Sequence, residues 1–139
     1  MKFAINIALT VIVGVALVLL ALKYPPVVWT AVQTIGLCLM VVGFVLWSVA
    51  RFQLGASLTV SAQAKQLVTR GLYSKIRNPI YFFVSTLIAG AILLLGRPAG
   101  LLIFVVIIPL QIWRARKESR VLEAEFGDEY RKYRASTWF

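Results

Sequence analysis

The chain has 139 residues, 60% hydrophobic and 14% charged, which excludes a disordered chain and makes one compact unit the expectation. Its mean hydropathy of +0.86 comes from long uncharged blocks rather than from apolar and polar residues in alternation, which excludes an ordinary soluble domain and points to an integral membrane protein. Fifteen Lys and Arg against five Asp and Glu give a formal charge of +10, suited to nucleic acid or an anionic membrane surface, and the hydrophobic blocks favour the membrane. The single cysteine, Cys38, cannot form an intrachain disulfide, and without His or a second Cys no metal site of the usual zinc type is expected.

Residues 3–22 form an uncharged run long enough to cross a hydrocarbon core of about 30 Å at about 1.5 Å per helical residue. Lys2 before this run also suits a signal peptide, but the run exceeds a usual signal core and no small-x-small cleavage site precedes Lys23, so it is read as a retained first span. Tyr24-Pro25-Pro26 separates it from a second uncharged block, residues 27–50, in which Gly36 and Gly43 lie seven apart on one helical face. Those glycines suit close helix packing within one chain or between two copies. Residues 80–95 and 99–113 are shorter apolar runs separated by Gly96-Arg97-Pro98, and they read as a tight helical hairpin.

The basic residues orient these spans. Lys2, five residues of the 51–79 segment and seven of the tail make thirteen on one side of a four-span arrangement, against Lys23 and Arg97 on the other. The positive-inside rule then places both termini, the 51–79 segment and the tail in the cytoplasm, whereas three spans would put the two richest basic segments on opposite faces. The basic charge thus follows from topology, and no nucleic-acid partner is expected. The expected fold is an all-α integral membrane bundle of four transmembrane helices plus a cytoplasmic C-terminal helix, forming one domain over residues 1–139.

All five acidic residues lie within 118–129. No Gly or Pro interrupts 113–126, so the fourth span is expected to run on into the cytoplasm until Gly127. Arg114, Glu118, Leu122 and Phe126 then share one face, with Glu118 about 7.5 Å beyond Trp113, at headgroup depth. The plain reading of that face is an interfacial helix with Arg–Glu pairs at i,i+4, worth only a few tenths of a kcal/mol each. Asn78-Pro79 reads as a helix start, with the Asn78 side chain capping a backbone N–H and Pro79 at the first helical position. The same helix end, with Arg77 adjacent, suits an anionic ligand group. Tyr73 and Tyr81 suit an aromatic belt, or packing against a flat ligand ring.

Leu67-Val68-Thr69-x-Gly71-x-Tyr73-x-x-x-Arg77-Asn78-Pro79-x-Tyr81 resembles the first signature of isoprenylcysteine carboxyl methyltransferases and related phospholipid methyltransferases. Arg114-x-x-x-Glu118-x-x-x-Leu122-x-x-x-Phe126-Gly127-x-x-Tyr130-x-x-Tyr133 is similar to their second signature, in the expected order after a helical hairpin. The resemblance implies a membrane enzyme that transfers methyl from S-adenosylmethionine to a lipid-like or isoprenylated substrate drawn from the bilayer. It assigns cofactor contacts to Lys65, Gln66, Leu67, Val68, Tyr73, Asn78, Pro79, Ile80, Tyr81 and Glu118, and the substrate to Arg114, so the working segments are about 65–81 and 114–134. A soluble cofactor arriving from the cytoplasm and an acceptor arriving sideways through the bilayer would meet at headgroup depth.

The chain departs from the family pattern at three positions: Asn78 replaces His, Phe83 replaces Gly, and Ser119 replaces the second of two Glu. Asn keeps a hydrogen-bonding edge but has no titratable nitrogen. Phe83 is expected to narrow a helix contact or an access path, and the lost carboxylate removes one candidate cofactor contact. A carboxylate acceptor needs no general base and is suited to Arg114, which favours carboxyl methylation. Methylation of a phospholipid amine is the alternative, with a carboxylate such as Glu118 accepting the proton. A third reading, from another class, is a non-catalytic membrane protein whose basic face binds anionic lipid or a partner. Sterol reductases resemble the same family, but no Gly-rich dinucleotide fingerprint is present.

Overall fold

A computed structural model describes residues 2–26, 28–55 and 69–138, which are helical and without strands. Helix α1 is Lys2–Lys23, α2 Ala31–Leu54, α3 Pro79–Leu94, α4 Phe104–Phe126 and α5 Asp128–Ser136. Short 3₁₀ helices at Gly71–Ser74 and Pro98–Ile103 precede α3 and α4.

A local cap, more than hydropathy, sets where α2 begins. The second uncharged block starts at Val27, yet α2 starts at Ala31, because Thr30 and Gln33 form a reciprocal capping box. The helix also runs four residues past the expected Ala50, to Leu54, and ends at Gly55, whose φ is +48°. The extra turn carries Arg51 on the helix. There its guanidinium lies 5.0 Å from the Trp47 ring and donates to Asn6 Oδ1 of α1 at 2.8 Å.

The core is the seam between α2 and α3. Gly36, Met40, Gly43, Trp47 and Ala50 are the buried residues of α2, at alternating spacings of four and three, and they face Pro79, Phe83, Leu87, Gly90 and Leu94 of α3. A Cβ on Gly36 would come within 2.5 Å of the Leu94 amide nitrogen, and one on Gly43 within 2.7 Å of Leu87 N. Both glycines therefore serve close packing within one chain, as does Gly90 against the Met40 backbone. Phe83 lies on this seam, 6% exposed and edge-on to Phe82, so where the family has Gly this chain fills the helix contact.

Helix α1 is mostly exposed, and α4 has no buried residue. Three helical stretches are long and apolar enough to cross a membrane, Ala4–Lys23, Ala31–Leu54 and Pro98–Phe126. Helix α3 is equally apolar but has 16 residues, about 24 Å by helical rise. The expected hairpin is refined at its second arm: Pro98–Ile103 is a 3₁₀ helix, and the α-helix starts only at Phe104. As expected, that helix runs unbroken to Phe126 and stops at Gly127, whose φ is +54°. It thereby brings Arg114 and Glu118 alongside the first turns of α3.

Candidate functional site

Tyr81 sits in the first turn of α3 and donates its hydroxyl to the Glu118 carboxylate of α4, 37 residues away in sequence. The Arg114 guanidinium, one turn before Glu118, lies 5.7 Å from the centre of the same Tyr81 ring. The plain reading of an Arg114–Glu118 pair along one helix is not what forms, because both side chains turn to Tyr81. Both ion pairs found among the described residues involve Arg131, with Glu123 and with Asp128, and are exposed. One turn farther along α3, Ser85 Oγ meets Gln111 Oε1 of α4 at 3.0 Å. Tyr81 and Ser85 on α3 thus face Gln111, Arg114 and Glu118 on α4, a line of polar side chains running along the gap between the helices.

Tyr73, in the 3₁₀ helix Gly71–Ser74, is buried at 6% exposure. Burial first, then Tyr133 and Glu118, raise its phenol well above the ordinary value. It is therefore a neutral hydroxyl throughout the physiological range, within electrostatic reach of Glu118 and Tyr81. The turn is gripped by two other helices. Gln53 of α2 accepts the Leu72 N–H at 2.8 Å, and the Tyr133 hydroxyl of α5 donates to the Tyr73 carbonyl at 2.7 Å. Gly71 has a φ of +61° and presents no side chain where Gln53 comes in, two requirements that glycine meets together.

Asn78 and Pro79 do mark the start of α3, with Pro79 fully buried at its first position. The expected cap bond from Asn78 is not made. Its ψ of 59° is far from the extended value of 160° at Thr30, which does cap, so the Asn78 amide does not reach the first-turn N–H groups. The Asn78 side chain is half-buried and makes no hydrogen bond among the described residues. Next to it, Arg77 keeps a buried Nε without a hydrogen-bond partner among those residues. Ile80 is half-buried on the first turn of α3, and Ser119 half-buried beside Glu118. Lys65, Gln66, Leu67 and Val68 lie outside the described residues.

The two signature segments, far apart in the chain, thus converge on one cluster at the α3–α4 junction. The profile of the phospholipid methyltransferase family matches residues 31–129. The chain belongs to the phospholipid methyltransferase family. A search of curated proteins finds no match. The phospholipid methyltransferase match spans α2, α3 and α4 and with them the whole Tyr81–Glu118–Arg114 cluster, while α1 and most of α5 lie outside it. With its three long apolar helices, the chain is a membrane protein of a methyltransferase family.

Several residues that shape this cluster carried no assignment from sequence. Gln53 and Gln111 each interrupt the apolar end of a helix, a signal that an uncovered amide at such depth needs a partner. Ser85 gave no such signal inside α3. Tyr133 stood out only as a member of the second signature.

Proposed function

We propose that this protein is an S-adenosylmethionine-dependent methyltransferase that methylates an isoprenoid or other lipid-borne carboxylate where the membrane meets the cytoplasm. The reading rests on one observation above the others: Tyr81 of the first signature segment is bonded to Glu118 of the second, with Arg114 over the same ring. The whole chain acts as one domain with four membrane crossings and both termini cytoplasmic, the arrangement that gathers thirteen of the fifteen basic residues on one side.

The residues suit such a cofactor. Its carboxylate and amino groups, its ribose hydroxyls and its adenine need donors, acceptors and an aromatic wall. The Arg77 Nε and the Asn78 amide have hydrogen-bonding capacity unspent among the described residues, and Glu118 and Tyr73, within electrostatic reach of each other, supply an acceptor and a ring. Bound S-adenosylmethionine supplies a methyl group already activated on a positively charged sulfur. The protein therefore has to hold an acceptor close and aligned and keep water away. Arg114 pairs with the acceptor carboxylate, which needs no proton removed before it is methylated. Tyr81 fixes the Glu118 carboxylate through its hydroxyl and leaves the second oxygen for the cofactor.

Amine methylation of a phospholipid is the second reading, and the family match favours it. An ammonium acceptor must first lose a proton, and with no His in the chain the task falls to Glu118, the acidic residue of the cluster. Incubation of the purified protein with methyl-labelled S-adenosylmethionine, prenylated thiol acids, free isoprenoid acids and phosphatidylethanolamine separates the two. Label in an alkali-labile ester supports the first reading and label in the phosphatidylethanolamine derivatives the second. No label in any acceptor, with well-folded protein, contradicts both.

A further inference from the structure

Helix α5 is amphipathic in an unusual sense, because its buried side is made of tyrosines. Tyr130 is 1% exposed and Tyr133 8%, with ring centres 6.2 Å apart, while the remaining side chains of α5 are exposed. Gly127 turns the chain out of α4 with a φ of +54°, so that α5 folds back on the segment before α3. There the Tyr133 hydroxyl is spent on the Tyr73 carbonyl, in a buried bond linking positions sixty residues apart. Just beyond α5, the Trp138 N–H donates to the Lys75 carbonyl at 2.8 Å. Two bonds from the C-terminal segment thus land on the main chain within three residues, at Tyr73 and Lys75, on the stretch that leads into Arg77 and Asn78. Tyr130, Tyr133 and Trp138 all lie beyond the family match, which ends at residue 129.

We propose that α5 is a clasp and Tyr133 a positioning residue, whose hydroxyl fixes the main chain of the Tyr73 turn and so presets the cofactor-facing edge from Tyr73 to Asn78. The inference rests on the cofactor role proposed above for that edge. A side-chain ring alone would fill the same space; what the hydroxyl adds is a partner for a buried carbonyl. Burial raises the Tyr133 phenol to about 12, so it remains a donor across the physiological range. Gln53 makes the complementary contact from α2, accepting from Leu72, the residue before Tyr73.

The test uses the full chain in detergent with Tyr133→Phe, which keeps the ring and removes the hydroxyl. Tyr130→Phe serves as the control on the same buried face. Two quantities are read well below the unfolding midpoint: hydrogen exchange of the amides at 71–76, and the dissociation constant of S-adenosylhomocysteine by calorimetry. The clasp predicts faster exchange confined to 71–76 and a dissociation constant raised roughly five-fold or more in Tyr133→Phe, the equivalent of about one hydrogen bond. Tyr130→Phe leaves both near wild type. A lowered unfolding midpoint with an unchanged dissociation constant would make Tyr133 merely structural and overturn the proposal. Wild-type protein that does not bind S-adenosylhomocysteine would overturn both the clasp's role and the cofactor reading, whereas binding insensitive to Tyr133→Phe overturns the clasp alone.

Discussion

Tyr81 is the residue on which both signature segments depend, and its two roles separate by substitution. Tyr81→Phe keeps the ring under Arg114 but removes the only hydroxyl that holds the Glu118 carboxylate among the described residues. S-adenosylhomocysteine affinity measured by calorimetry is expected to fall about ten-fold, roughly the worth of one hydrogen bond to a charged group. An unchanged affinity would show that Glu118 needs no partner. At Tyr133 the phenol rises from 10 in the unfolded chain to about 12 in the fold. The folded state therefore holds its proton more tightly, chiefly because the phenol is buried, so the stability tied to the neutral hydroxyl is full below pH 10 and is lost as pH climbs from about 10 to about 12. Thermal midpoints of the wild type should fall more steeply over that window than those of Tyr133→Phe, and parallel curves would contradict the assignment. The face that Glu118 shares with Arg114 was legible from spacing alone. Its partner was not, because no local pattern reports a bond across 37 residues, and at Asn78 the residue types pointed to a cap that the backbone angle does not permit.

Among the helices, hydropathy located α1 to α4 but not the polar α5, while a cap and glycines decided the start of α2 and the close packing. The uncharged block from Val27 contains no charge to mark the start of α2, so the boundary depended on a reciprocal Thr30–Gln33 contact that composition does not reveal. Similarly, Pro98 opens a 3₁₀ helix where an α-helix was expected, although the apolar content of 98–113 is continuous. The spacing of Gly36 and Gly43 indicated close packing but named no partner. The partner is α3, and the contact is backbone against backbone. Gly36→Ala or Gly43→Ala must push α2 and α3 apart, a strain of about 1–3 kcal/mol. Gly14→Ala meets only the tip of the Phe44 ring, at 3.1 Å, and should cost much less. Unfolding midpoints in detergent check this ordering. A Gly14→Ala variant as damaged as Gly43→Ala would contradict the α2–α3 seam as the core.

At the scale of the whole molecule, the α2–α3 seam forms the core and the polar cluster lies between α3 and α4, while α1, α2 and α4 present apolar side chains outward, as a bilayer allows and water does not. The positive-inside reading makes this arrangement testable with single cysteines in a Cys38→Ser background. Cysteines at Lys75 and Arg134 should react with an impermeant thiol reagent from the cytoplasmic side, and one at Arg97 from the opposite side. Labelling of Arg97 and Arg134 positions from the same side would contradict four crossings. The central claim, however, is that two distant segments make one cofactor pocket, and calorimetric titration of the purified protein with S-adenosylhomocysteine tests it most directly. The wild type is expected to bind saturably, and Glu118→Ala to lose that binding while it stays helical and monodisperse. No binding to well-folded wild type, or equal binding to Glu118→Ala, would contradict it.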